Sequence, residues 1–254
     1  MRNVKLIIEY DGANYAGWQI QPNGVSIQQV VQDAIASITG EQVKLIGSGR
    51  TDAGVHASGQ CANFATNSEI PAAALAHAIN TKLPPDIAIV RAEDAPPDFH
   101  ARYSAKSKTY RYTIFNRDMR SPLNRNRAVH VREKLDLKSM QTAAAQLIGT
   151  HDFAAFRSKP TPKSSVRTVI CAAAARHGHL MEITITANGF LYNMMRAIVG
   201  TLIEIGLGKR GADSIEMLLE TRDRALAGPT APPQGLCLLG VDYDTDETRI
   251  GEIA

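Results

Sequence analysis

Ser26-Ile27-Gln28-Gln29-Val30-Val31-Gln32-Asp33-Ala34-Ile35-Ala36-Ser37-Ile38-Thr39-Gly40 places apolar side chains at 27, 30, 31, 34, 35 and 38. That recurrence is the signature of one buried face of an α-helix. Ser26 with Gln29 three residues on is a capping-box start, and Gly40 is a left-handed stop, so the helix covers 26–39. Working outward, residues 4–10 (Val-Lys-Leu-Ile-Ile-Glu-Tyr) form a strand ended by Asp11 and Gly12. Two strand-like stretches, 43–49 and 59–66, follow the helix and are joined by a glycine-rich segment. Pro71 can start a second helix that runs to Lys82, and a strand at 86–92 follows Pro84-Pro85. The order is β-α-β-β-α-β.

Beyond Pro96-Pro97 the same order returns. Residues 106–115 alternate as a strand, and Leu137, Met140, Ala144 and Leu147 favour a helix over 136–148. Residues 166–176 and 179–187 form a hairpin turning at His177-Gly178. A helix over 190–205 ends at Gly206, another occupies 213–225, and 236–243 is a final strand. The expected fold class is α+β, with two ferredoxin-like β-α-β-β-α-β units related by a pseudo-twofold, sheets joined side by side and helices packed on one face. The expected domains are residues 1–100, carrying the glycine-rich segment, and 101–254, carrying an extra helix and a basic insertion.

With 254 residues, 44% hydrophobic and 21% charged, the chain can bury a sizeable core without staples. Its three cysteines (Cys61, Cys171, Cys237) have no paired or metal-type spacing, which points to a reducing compartment. No uninterrupted apolar run approaches the ~20 residues of a membrane span. The N-terminus enters a strand pattern without a signal-peptide core, so a cytoplasmic location is expected. Net charge is only +3, but its distribution is uneven. Between Arg102 and Lys134, ten Lys or Arg stand against Asp118 and Glu133, a local charge of +8. Arg157, Lys159, Lys163 and Arg167 form a second basic cluster, whereas Asp242, Asp244, Asp246, Glu247 and Glu252 make the end acidic. Concentrated positive charge attracts a polyanion through counterion release. A charge cluster by itself equally describes a solvated surface with no ligand.

The glycine-rich segment is Gly47-Ser48-Gly49-Arg50-Thr51-Asp52-Ala53-Gly54-Val55-His56-Ala57. Glycines around Asp52 permit close approach by a ligand, and Arg50 and Thr51 add a cation and a hydroxyl beside the carboxylate. Local sequence alone favours Asp52 as the cap of a turn. A metal site would need a ligand beyond Asp52 and His56, and none stands out nearby. Ser48, Asp52 and His56 have the residue types of a hydrolase triad without a nucleophile elbow. A P-loop is excluded, because no Gly-Lys-Ser/Thr ending is present.

This eleven-residue string resembles the catalytic signature of the tRNA pseudouridine synthase A (TruA) family. Further segments resemble that family in the same order. They are Glu9-Tyr10-Asp11-Gly12 with Tyr15, Gly17 and Trp18; Lys106-Ser107-Lys108-Thr109-Tyr110-Arg111-Tyr112; and His151-Asp152-Phe153 with Phe156. Asn188-Gly189-Phe190-Leu191-Tyr192-Asn193-Met194-Met195-Arg196 and Ala231-Pro232-Pro233-Gln234-Gly235-Leu236 complete the set, and only the acidic tail after Tyr243 stands apart.

The resemblance implies that Asp52 is an essential catalytic carboxylate that cleaves the N1–C1′ bond of uridine, after which the base turns and rejoins through C5. Such an isomerisation requires no cofactor and no metal. The carboxylate acts as a nucleophile or as a base on a glycal route, and either role needs its ionised form. By the same resemblance Arg196 pairs with the catalytic acid and Arg50 touches RNA. Tyr110 stacks on the extruded base and presents its hydroxyl, while Leu236 covers the base's other face. Without the resemblance, Arg196 is an ordinary surface arginine and Tyr110 is half-buried strand packing. The implied substrate is tRNA at positions 38, 39 and 40 of the anticodon stem-loop, and the implied assembly is a homodimer. Two alternatives are a non-catalytic tRNA-binding factor on the same fold, which needs the basic residues but not the acid, and a metal-dependent nuclease. His56, His100 and His151 are assigned to packing or polar support.

Overall fold

The structure, a computed structural model, describes residues 1–159 and 164–244. Lys163 of the second basic cluster and Asp246, Glu247 and Glu252 of the acidic end lie outside the described residues. The described residues form two compact units, one of Met1–Lys106 with residues 237–244, the other of Ser107–Leu236. In chain order the elements up to Lys106 are β1 (Arg2–Tyr10), α1 (Ile27–Thr39), β2 (Ile46–Gly47), β3 (His56–Thr66), α2 (Ala72–Asn80) and β4 (Ile87–Ala95). Next come β5 (Ser107–Asn116), β6 (Val129–Val131), α3 (Leu137–Ala145), β7 (Gly149–Asp152), β8 (Val166–His177) and β9 (Leu180–Ala187). The last elements among the described residues are α4 (Met194–Gly206), α5 (Ser214–Thr221) and β10 (Leu236–Asp242). The fold class is α+β.

In the first unit, β1 is flanked by antiparallel β3 and β4, with Lys5 opposite Asn63 on one side and Glu93 on the other. Val4, Leu6, Ile8 and Tyr10 alternate into the core, as a strand with one buried face requires. Helix α1 behaves as its sequence dictates. Ser26 Oγ accepts from the N–H of Gln29, and Gly40, at φ 74°, ends the helix by donating to Ala36 O. Ile27, Val31, Ala34 and Ile35 are its buried stripe, and α2 packs against β4 and α1. The order β4-β1-β3-β2 is ferredoxin-like, but β2 is only two residues long where the sequence suggested a strand over 43–49. The outer edge of β3 is therefore shared. Antiparallel β2 covers Ala62 and Asn63, and parallel β10 covers His56 and Ala57. The last strand, counted with the second half in the sequence reading, thus serves the first unit.

The second unit orders its strands β5-β9-β8-β7, all antiparallel, with β6 running parallel on β5. Helix α3 packs on β8 and α4. The latter is buried on nearly every side, and a Cβ on its Gly200 would stand 1.7 Å from Pro229 O, so the crossing segment lies directly on the helix backbone. Two helices are shorter than their apolar patterns suggest. Asn193, at φ 60°, is in the left-handed region and delays α4 to Met194 rather than 190; Arg222, at φ 58°, ends α5 well before 225. A left-handed residue cannot continue a right-handed helix. No helix among the described residues is long and apolar enough to cross a membrane.

Candidate active site

The segment 48–55 links β2 to β3, and its backbone is tied down on both sides of Asp52. The Ser48 N–H donates to Cys61 O at 2.8 Å. Its hydroxyl donates to Gln60 Oε1 at 2.7 Å, and the Gln60 amide returns a hydrogen bond to Gly49 O at 3.0 Å. Beyond Arg50, the Thr51 hydroxyl meets the Tyr10 hydroxyl at 2.8 Å, and Thr51 O accepts from the Trp18 N–H at 3.0 Å. Asp52 O then accepts from the Val55 N–H at 3.1 Å, closing a turn in which Gly54 takes φ 78°. Thr51 is buried, Asp52 half-buried and Arg50 exposed. The loop therefore presents a carboxylate and a guanidinium from a backbone that has little freedom of its own.

Residues 10–18 form the cradle for this loop. Gly17 sits at φ 96°, and a Cβ there would stand 2.6 Å from Thr51 O; at Gly12 a Cβ would stand 2.0 Å from Val55 O. Both positions demand glycine because backbone lies against backbone. The far end of the cradle feeds α1, since Gly17 O and Trp18 O accept from the N–H groups of Ile27 and Gln28. Burial holds the Tyr10 hydroxyl protonated well above the ordinary tyrosine range, so at neutral pH it is a fixed hydrogen-bonding strut.

His56, the first residue of β3, braces the same cradle. Its Nδ1 accepts from the Gly12 N–H at 3.1 Å and lies 3.1 Å from Asp11 Oδ1. An imidazole nitrogen that accepts carries no proton, so the Gly12 contact belongs to the ring with Nδ1 bare. Among the described residues no group of three or more His, Cys, Asp or Glu could hold a metal ion. His56 is polar support. His151 has the same role, with Nε2 3.0 Å from Ile148 O.

The other sequence-selected residues are on the second unit. Tyr110 lies opposite Ile185 in the middle of β5, is 7% exposed, and meets the Phe190 ring edge-on at 4.8 Å. The packing expected of a strand tyrosine is therefore present. Arg196, in the first turn of α4, donates from Nε to Ala231 O at 2.7 Å and from Nη1 to Asn193 Oδ1 at 3.0 Å. Ala231 returns its own N–H to Arg196 O. The strap that follows crosses β5, where the Tyr112 hydroxyl donates to Pro232 O at 2.7 Å and a Cβ on Gly235 would stand 2.6 Å from the Tyr112 ring. Burial raises the Tyr112 pKa, while the Arg196 charge pulls it down. Leu236, buried, follows directly on this strap. Arg196 and Leu236 are thus joined through 231–236 to the strand that carries Tyr110, whereas Asp52 and Arg50 stand on the first unit's loop.

The sequence marks Gly12 only as a turn residue and Tyr10 only as the end of a strand, and it gives Gly17, Trp18 and Tyr112 no task beyond membership of a motif. The available signal was a cluster of glycines and aromatics immediately after a strand, which marks a backbone packed closely on another segment.

A protein-family model described as tRNA pseudouridine synthase matches residues 6–104 and 143–244. The chain is also 53% identical over 244 residues to the tRNA pseudouridine synthase A of Acetivibrio thermocellus, covering 96% of this chain and 100% of that protein. The chain belongs to the tRNA pseudouridine synthase family. Other members bearing the name tRNA pseudouridine synthase A are similar over the same span. Those of Geotalea uraniireducens and Thermoanaerobacter sp. (strain X514) are 52% and 51% identical over 244 residues, again 96% of this chain and 100% of each protein. The residues matched by the tRNA pseudouridine synthase model include Arg50, Asp52, Arg196 and Leu236; those between the two matched stretches include Tyr110 and most of the basic segment.

Proposed function

We propose that this protein converts uridine to pseudouridine in tRNA, at positions 38, 39 and 40 of the anticodon stem-loop, with Asp52 as the catalytic carboxylate. The observation that carries the reading is the full-length similarity to tRNA pseudouridine synthase A, 53% identical over 96% of this chain. The rigid mounting of the Asp52 loop supports it, because a reacting carboxylate benefits from a preorganised backbone. In the reaction the N1–C1′ bond breaks, a C5–C1′ bond forms, and the C5 hydrogen leaves as a proton while N1 gains one. Nothing is oxidised or reduced, and the proposed enzyme uses neither cofactor nor metal.

Arg196 is proposed as the cation that favours ionised Asp52. Arg50 contacts RNA and helps displace the target base. Tyr110 stacks on that base once it leaves the helix, and Leu236 covers its other face. Phosphate contacts from the basic segment 102–134 offset the few kcal/mol lost in unstacking. The proposed working form is a cytoplasmic homodimer in which one tRNA contacts both subunits.

The test is to incubate the protein with unmodified tRNA in EDTA and to map pseudouridine chemically. Pseudouridine is expected in the anticodon arm. Asp52→Asn is expected to abolish it while tRNA binding stays within a few fold. Modification persisting in that variant would remove Asp52 from the mechanism, and strand scission blocked by EDTA would make the protein a nuclease.

A further inference from the structure

Tyr103 is 73% exposed, an unusual position for a large aromatic ring. The turn that carries it is built from several directions. Asn63 Oδ1 of β3 accepts from the Ala101 N–H at 2.9 Å, and the Tyr243 hydroxyl donates to Ala101 O at 2.8 Å. The Phe99 ring lies 4.9 Å from the Tyr243 ring, and Asn3 Nδ2 donates to Phe99 O at 2.9 Å. On the outer side, His100 Nδ1 accepts from the N–H groups of both Arg102 and Tyr103, at 3.1 and 3.2 Å. The ring of Tyr103 then rests against the His100 ring, 4.3 Å between centroids at 31°. So much hydrogen bonding holds a ring that itself buries little surface.

We propose that Tyr103, with Arg102, is a stacking platform for an unpaired base of the RNA substrate, separate from the Asp52 loop. Stacking on a free ring face recognises any base, since every base has a π-face. The fixed turn has already met the ordering cost that a mobile side chain would incur on binding. Charge selects RNA over an apolar protein partner. The Arg102 guanidinium carbon is 5.7 Å from the ring and Arg102 makes no ion pair among the described residues, so it can meet the adjoining phosphate. Arg102 also opens the segment to Lys134 that carries ten cations against two acids. The inference rests on the RNA-modifying reading of the chain.

The experiment compares tRNA binding, by anisotropy, with turnover for Tyr103→Ala, Tyr103→Phe and Tyr103→Trp. Because the side chain is exposed, none of these disturbs the core. Loss of one stacked base weakens binding by about tenfold. Tyr103→Ala is therefore expected to raise Kd and KM for tRNA about tenfold with kcat unchanged, and Tyr103→Phe to behave as the parent. In Tyr103→Trp, tRNA should quench the new fluorescence, the native background being a single tryptophan, Trp18, 3% exposed. Undiminished tRNA affinity in Tyr103→Ala overturns the proposal. So does a change in sedimentation of the free protein, which would make Tyr103 a contact between protein chains. Binding is measured without turnover, so a protein that binds tRNA through Tyr103 yet makes no pseudouridine overturns the activity and leaves the platform standing.

Discussion

Tyr10→Phe is the most direct probe of how the Asp52 loop is held. The substitution keeps the ring in a core position that is 2% exposed and deletes only the hydroxyl that meets Thr51 Oγ1 at 2.8 Å. A hydrogen bond of this kind contributes about 1 kcal/mol net, and stranding a buried partner raises the cost to about 1–3 kcal/mol. Thr51 is buried, so the upper part of that range applies. The natural probe is Trp18, whose ring centroid is 6.2 Å from that of Tyr10. With a urea dependence of about 1–3 kcal/mol per molar, the unfolding midpoint reported by Trp18 should fall by about 1 M. Thr51→Val made in the Tyr10→Phe background should cost about 1 kcal/mol less than in the parent, because the two side chains share one bond. Turnover should fall with KM for tRNA unchanged, since the loop loosens but the basic surface does not. An unmoved midpoint together with strictly additive substitutions would refute the strut.

Three further outcomes are expected. Gly17→Ala places a Cβ 2.6 Å from Thr51 O at a backbone φ of 96°; strain of about 1–3 kcal/mol falls on the Asp52 loop, and a single-turnover rate equal to the parent's would disprove the close fit. Burial raises the pKa values of Tyr10, Tyr15, Tyr112 and Tyr243 above the ordinary 10.0, the Asp86 carboxylate adding to the effect at Tyr15. Folding therefore favours their neutral forms, so the stability they contribute is intact below pH 10 and is lost as pH rises beyond it. Circular dichroism should show alkaline unfolding that coincides with their ionisation at 295 nm, and their ionisation near pH 10 in a folded protein would contradict the burial argument. Affinity for tRNA should fall steeply with added salt; a flat dependence would remove the segment 102–134 from the RNA surface.

Helix α1 was legible because its signals are local. The apolar spacing, Ser26 and Gly40 act within one segment, and the structure honours each of them. Elements decided by distant partners were not. The three-residue β6 has too few residues to show periodicity, and the strand expected over 43–49 is cut to the two residues of β2, because the extent of each depends on the strand edge it meets. The late start of α4 turns on Asn193 adopting φ 60°, a conformation that asparagine permits but does not announce. At the site, Asp52 and Arg50 were visible as chemistry within a glycine-rich string. The supports were not visible, because Gly12 is explained only by Val55 O and Gly17 only by Thr51 O. Tyr112 was equally silent in sequence, as its partner Pro232 lies on a strap far along the chain.

The shared edge of β3 has a consequence for how the protein comes into being. His56 and Ala57, just behind the Asp52 loop, take their outer neighbours from Cys237 and Leu238, and Leu239 O presses on Gly59 so closely that a Cβ there would stand 2.3 Å away. The loop leaves the ribosome between β2 and β3, long before the strand that braces it, Leu236–Asp242, can emerge. An unfinished chain carries every residue of the loop and yet shows an uncovered strand edge, the kind of surface that invites aggregation and proteolysis. Closing contacts so distant in sequence is slow, so the brace behind the loop forms only after the segment that supplies β10 has been made.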